Sequence, residues 1–120
     1  MAAKRLLMID DEEAFCDFVC EVARGMGYQT ASTSCADVFK DTFQTFDPHV
    51  VVVDVVMPDM DGIELVQWLS SQGCAARVLV VTGYNPDYAA AAAKLARLAG
   101  LSAEQASKPL RAEDLRQYLR

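Results

Sequence analysis

Short apolar runs alternate with segments of helical spacing along the chain, and the pair recurs five times. Arg5-Leu6-Leu7-Met8-Ile9 reads as a strand that stops at Asp10-Asp11. From Glu12 to Met26 the spacing turns helical. Phe15, Val19, Val22 and Met26 share a face, Phe18 flanks it, and Gly25 and Gly27 supply a stop. Tyr28 to Ser32 predicts a short, more polar strand at a sheet edge. Residues 36–46 predict a helix with Val38, Phe39, Thr42, Phe43 and Phe46 toward the core. Asp47-Pro48 makes a turn, and Val50-Val51-Val52-Val53 follows as the clearest strand, ending at Asp54. A continuous β-branched run suits a strand covered on both faces. Asp61-Gly62 signals a turn. Residues 63–72 predict a helix with Ile63, Val66, Trp68 and Leu69 inward. Val78 to Val81 is a second apolar strand, ending at Thr82-Gly83. Asn85-Pro86 opens an Ala-rich helix to about Ala99. Residues 103–107 predict a weak last strand and residues 111–119 a closing helix.

Five β-α units in 120 residues predict an α/β fold, a parallel sheet with helices on both faces. The length fits one domain over residues 1–120. Ligand sites in such folds gather at the carboxyl ends of strands. Composition adds limits. With 52% apolar and 23% charged residues the chain reads as globular rather than disordered. A net charge of −6 argues against direct nucleic acid binding, which needs a basic patch. No apolar run approaches a membrane span, and the N-terminal run is too short for a signal peptide, so a cytoplasmic location is expected. The four cysteines need not pair there, and Cys16 and Cys20 read as small core residues.

The candidate chemistry lies at the predicted strand ends. Asp10 and Asp11 end the first strand, Asp54 the third, Thr82 the fourth, and Lys108 the fifth. In a parallel sheet all converge on one rim. Three carboxylates packed together repel one another unless a cation neutralises them. Hard oxygen donors without Cys or His suit Mg²⁺. Lys108 offers a mobile point charge for a phosphoryl group, and Thr82 a hydrogen-bond donor. Asp54, held by a rigid strand, could attack phosphorus in line and become an aspartyl phosphate. Each residue alone has a duller use. Asp11 could cap a helix, Asp54 and Thr82 could be turn residues, and Lys108 could be solvated surface. Their joint placement favours the functional reading.

The stretches Leu7-Met8-Ile9-Asp10-Asp11-Glu12 and Val53-Asp54-Val55-Val56-Met57-Pro58-Asp59-Met60-Asp61-Gly62, with Thr82-Gly83 and Lys108-Pro109, resemble the receiver domain of two-component response regulators. The resemblance implies a doubly wound, flavodoxin-like (βα)5 sheet of five parallel strands in the order 2-1-3-4-5. It implies that Asp54 accepts a phosphoryl group from a phosphohistidine on a sensor histidine kinase or histidine phosphotransfer protein. Asp11 would ligate Mg²⁺ directly, Asp10 largely through water, with the Val56 carbonyl as a further ligand. Thr82 would move onto the phosphoryl oxygen, Lys108 would pair with it, and the Lys108–Pro109 bond would be cis. The surface around the fourth helix, fifth strand and fifth helix would switch toward an effector domain or protein. No effector domain is expected within residues 1–120, and a homodimer is compatible with the family.

Two departures stand out. The family's aromatic residue three positions before the lysine is Gln105 here, and the span from Thr82 to Lys108 is a few residues longer than expected. Val56 and Tyr84, neither of which would orient a hydrolytic water, predict a long-lived aspartyl phosphate. Competing readings fare less well. The first turn lacks the glycines of a dinucleotide site, no Gly-Lys-Ser/Thr phosphate loop is present, and position 56 lacks the second Asp of a haloacid-dehalogenase-type phosphatase. An enzyme with turnover on external substrates is therefore not expected. The main alternative is a receiver-like interaction module that works without phosphorylation.

Overall fold

The structure is a computed structural model that describes residues 3–57, 60–83 and 85–120. Five strands form its sheet: β1 (Arg5–Ile9), β2 (Gln29–Thr33), β3 (Val50–Asp54), β4 (Arg77–Thr82) and β5 (Ser102–Ser107). Five helices alternate with them: α1 (Glu13–Gly25), α2 (Ala36–Phe46), α3 (Gly62–Ser71), α4 (Pro86–Leu98) and α5 (Ala112–Leu119). All neighbouring strands pair in parallel, in the order β2-β1-β3-β4-β5. This is the doubly wound order implied above.

The apolar runs explain the layering. Along β1, Leu6 and Met8 join Val50 and Val52 of β3 in one layer with α1 and α5. Leu7 and Ile9 join Val51 and Val53 in the other layer, with α2, α3 and α4. Successive strand residues point to opposite faces, so runs without polar alternation are what two covered faces require. Each of these side chains is almost wholly buried, a transfer of about 1.5–3 kcal/mol apiece. The edges differ: β2 is half-exposed, and β5 exposes Ser102, Glu104, Gln105 and Ser107.

The helix starts follow local chemistry. Asp61 caps α3, its Oδ1 accepting the Ile63 N–H at 2.9 Å. Asn85 caps α4, accepting the Tyr88 N–H at 3.2 Å, with Pro86 in the first turn.

Several expectations need correction. The buried stripe of α1 is Cys16, Val19, Cys20 and Ala23, with Phe15, Phe18, Val22 and Met26 only partly buried around it. Small side chains let this helix lie close to the sheet, and the large ones fill its margins. On α2, Phe39 is fully buried while Val38 is 49% exposed. Phe39, Phe43 and Phe46 already complete a stripe at i, i+4 and i+7. On α3, Leu65 is buried with Val66 and Leu69, and Ile63 and Trp68 are partly buried. The last strand is six residues long rather than five. A short antiparallel ladder, Val56–Met57 against Met60–Asp61, follows β3 and was not expected. The cysteines are as expected, all four free and Cys16 and Cys20 buried. Among the described residues no helix is long and apolar enough to cross a membrane.

Candidate functional site

Parallel register brings the strand ends to one rim. Ile9 pairs with Val53, Asp54 with Val81, and Thr82 with Ser107. Asp10 therefore follows β1 beside the end of β3. Lys108 follows β5 beside the end of β4, and its backbone N–H donates to the Thr82 carbonyl at 2.9 Å.

Carboxylate oxygens of Asp10, Asp11 and Asp54 lie within 4.8 Å of one another. Asp10 and Asp54 are buried, at 2% and 3% exposure, and Asp11 is open to solvent. The Lys108 ammonium stands among the acids, 2.9 Å from Asp10 Oδ2, 3.0 Å from Glu12 Oε1 and 3.6 Å from Asp54 Oδ2. It also lies 4.6 Å from the centroid of the Phe15 ring. Asp10 Oδ1 accepts the Glu12 N–H at 2.8 Å, and Asp54 Oδ1 accepts the Val56 N–H at 3.0 Å. Each buried carboxylate thus has one oxygen fixed by a backbone amide two residues on. Thr82 is 1% exposed, and its Oγ1 accepts the Asn85 N–H at 3.3 Å. The Lys108–Pro109 bond is cis.

Charge and burial compete here. Burial pushes the Asp54 carboxyl up to about 6. The Val56 amide and Lys108 oppose that rise, and the Asp10 charge adds to it. Burial by itself would pull the Lys108 ammonium down. Its close contact with Asp10, its hydrogen bond to Glu12 and the charges of Asp10 and Asp54 outweigh burial and raise it. One ammonium contacts Asp10, Glu12 and Asp54, with Asp11 beside them, so among the described residues the cluster is short of positive charge. Asp10 Oδ2 has Lys108 as an ion partner but no hydrogen bond of adequate geometry. An enclosed, under-satisfied oxygen within a set of hard oxygen donors fits a small divalent cation. A cavity of about 570 Å³ opens over the cluster, lined by Asp11, Glu12, Phe15, Phe18, Asp54 and Lys108 among others.

The sequence-predicted residues Asp10, Asp11, Asp54, Thr82 and Lys108 all come to this rim. Val56 is present through its amide. Pro58, Asp59 and Tyr84 lie outside the described residues, as does the expectation that rested on Tyr84. Gln105 is exposed and sits opposite Val80 in the β4–β5 register. Sequence reasoning missed Glu12 and Phe15 as partners of Lys108. An acid and an aromatic at the start of a helix carry no signal of contacts with a residue so far along the chain.

The chain is similar to known proteins over nearly its whole length. A family model, the response regulator receiver domain, matches residues 6–120. The photosynthetic apparatus regulatory protein RegA of Rhodobacter capsulatus is 30% identical over 112 residues, covering 93% of this chain and 59% of RegA. Sporulation initiation phosphotransferase F of Bacillus subtilis is 28% identical over 85 residues, covering 71% of this chain and 68% of that protein. The chain spans between 18% and 59% of the length of four other such relatives, RegA among them. A solved CheY-like response regulator receiver domain protein of Methanospirillum hungatei superposes with a TM-score of 0.85 at 24% identity, covering 98% of this chain and 91% of that one.

Proposed function

Because the chain belongs to the response regulator receiver domain family of two-component signal transduction, we propose that it is a phosphoacceptor in a phosphorelay, with Asp54 as the accepting residue. An Asp54 oxygen attacks the phosphorus of a phosphohistidine on a sensor histidine kinase or histidine phosphotransfer protein. The P–N bond breaks as the P–O bond forms, and the imidazole leaves and takes up a proton. The Val56 amide orients the Asp54 carboxylate for this attack. Lys108 pairs with the incoming phosphoryl oxygens, and Thr82 donates a hydrogen bond to one of them. Asp10, Asp11, Asp54 and the Val56 carbonyl would hold Mg²⁺, which when bound neutralises charge on the phosphoryl group. Positioning and charge neutralisation carry the reaction, as is general in phosphoryl transfer. The protein turns over no external substrate. It catalyses only the gain and loss of its own phosphoryl group.

The observation that carries this reading is the meeting of Asp10, Asp11 and Asp54 within 4.8 Å, with Lys108 in contact with two of them. The name of the Bacillus relative, a phosphotransferase, supports it. The output passes through α4, β5 and α5 to an effector domain or protein in the cytoplasm. Incubation with Mg²⁺ and acetyl phosphate tests the reading. A mass gain of one phosphoryl group is expected, and none in Asp54→Asn.

The exposed Gln105 favours a second reading, an interaction module that needs no phosphate, because the side chain there cannot act as a ring that moves from surface to interior. Absence of any label from acetyl phosphate, beryllofluoride or a panel of kinases would select it.

A further inference from the structure

Glu12 occupies the N-cap position of α1, yet its side chain makes no capping hydrogen bond. It reaches instead to Lys108, with Oε1 3.0 Å from Nζ. Its backbone N–H meanwhile donates to Asp10 Oδ1, and Lys108 Nζ lies 2.9 Å from Asp10 Oδ2. Asp10, Glu12 and Lys108 therefore close a ring. The carboxylate of Asp10 is held at one oxygen by the Glu12 amide, and at the other by an ammonium that the Glu12 side chain also holds. The Phe15 ring, one helical turn on, lies 4.6 Å from the same ammonium. Asp54 Oδ2, at 3.6 Å, is the most distant of the three carboxylates around Nζ.

We propose that Glu12 is a positioning residue that parks the Lys108 ammonium on Asp10, away from the acceptor, and so slows phosphoryl acceptance. This rests on Asp54 being the acceptor. To reach a phosphoryl group on Asp54, Nζ must move toward Asp54 and give up contact with Glu12. The Glu12 carboxylate stabilises only the parked arrangement, so it deepens the starting state without helping the end state. Only interactions that differ between the two states change the rate. Lys108 is largely enclosed, but Glu12 is more than half exposed, so water screens their attraction and the effect is modest. An exposed pair of this kind corresponds to about a two- to fivefold change in rate.

Glu12→Gln keeps the size of the side chain and removes its charge. Glu13→Gln, one residue on and exposed, makes the same change in net charge without touching Lys108. The clamp is read in the metal-free protein by ¹⁵N NMR of the lysine ammonium groups, with the Lys108 signal assigned by its loss in Lys108→Ala. In Glu12→Gln the Lys108 ammonium protons should exchange with water about two- to fivefold faster than in wild type, and in Glu13→Gln at the wild-type rate. The effect on acceptance is read by the initial rate of labelling with acetyl phosphate and Mg²⁺, which should rise by a similar factor in Glu12→Gln alone. Equal ammonium exchange in the two variants would overturn the clamp. Faster exchange without faster labelling would overturn its control of acceptance. A wild-type protein that takes no label, while the exchange rates still differ, overturns the acceptor reading and leaves the clamp standing.

Discussion

Gly62 lies so close to Val55 that a methyl group at position 62 would stand 2.7 Å from the Val55 Cβ. Val55 follows Asp54 and is itself buried, so it has no room to yield without moving the acceptor. Gly62→Ala is expected to cost about 1–3 kcal/mol through overpacking. At Gly83 an added methyl would meet the flexible Lys108 side chain at an ordinary 3.4 Å. Gly83→Ala should therefore stay within about 0.5 kcal/mol of wild type. Urea unfolding of both variants checks the contrast. Equal stabilities would mean that the chain around Val55 gives way easily.

On α2, two adjacent apolar residues should behave oppositely. Phe39 is fully buried between the helix and the sheet, and Val38 is 49% exposed. Phe39→Ala is expected to cost about 3–5 kcal/mol. Val38→Lys should change stability by less than about 0.5 kcal/mol. Thermal or urea unfolding separates them, and a large loss from Val38→Lys would show that this face is covered in solution.

That contrast also marks how far the sequence could be read. The β-branched runs announced which strands are covered on both faces, and the acids at their ends announced the rim, because parallel strands bring like ends together. Side-chain direction within a helix was less legible. Hydrophobicity favoured Phe15, Val22 and Met26 on α1, but close packing on the sheet put Ala23 inside with Val19 and with Cys16 and Cys20, the two cysteines read as core residues. The two-residue ladder after β3 is too short to leave a periodic trace. Glu12 was illegible for a different reason. Its partner Lys108 is brought to it only by the completed sheet, and in the sequence Glu12 looks like any acid at a helix start.

The burial of Asp54 predicts a pH dependence. Its carboxyl is raised from 3.8 to about 6, chiefly by burial. A carboxyl raised in the folded state stabilises the fold while protonated. That contribution is complete below about pH 4 and is lost as pH rises through about 6. In metal-free buffer at pH 7.5, Asp54→Asn should therefore be more stable than wild type by about 1–3 kcal/mol, and the gap should close at pH 4. Adding Mg²⁺ to a hundredfold excess over its Kd should stabilise the wild type by about 2.7 kcal/mol, and Asp54→Asn by less. Urea unfolding at the two pH values, with and without Mg²⁺, reads each step. A variant less stable than wild type at pH 7.5 would contradict the assigned sign.

One oxygen of Asp61 joins two helices. Asp61 Oδ1 accepts the Ile63 N–H that starts α3, and it also accepts the Tyr88 hydroxyl at 3.2 Å from the first turn of α4. The segment carrying Asp61 is paired with Val56, two residues beyond the acceptor. With Gln105 in place of an aromatic ring, this is a direct polar link from the acceptor loop to α4. Tyr88→Phe removes only the hydroxyl and should cost about 0.5–1.5 kcal/mol, as for a hydrogen bond to a carboxylate weakened by exposure to solvent. Asp61→Ala removes the link and the helix cap together and should cost about 1–2 kcal/mol. If both act through the same oxygen, adding Tyr88→Phe to Asp61→Ala should change stability by less than about 0.3 kcal/mol. Urea unfolding of the two single variants and the double variant measures this coupling. Full additivity would mean that the Tyr88 hydroxyl contributes to stability independently of Asp61, and α4 would then have no energetic tie to the acceptor loop at this point.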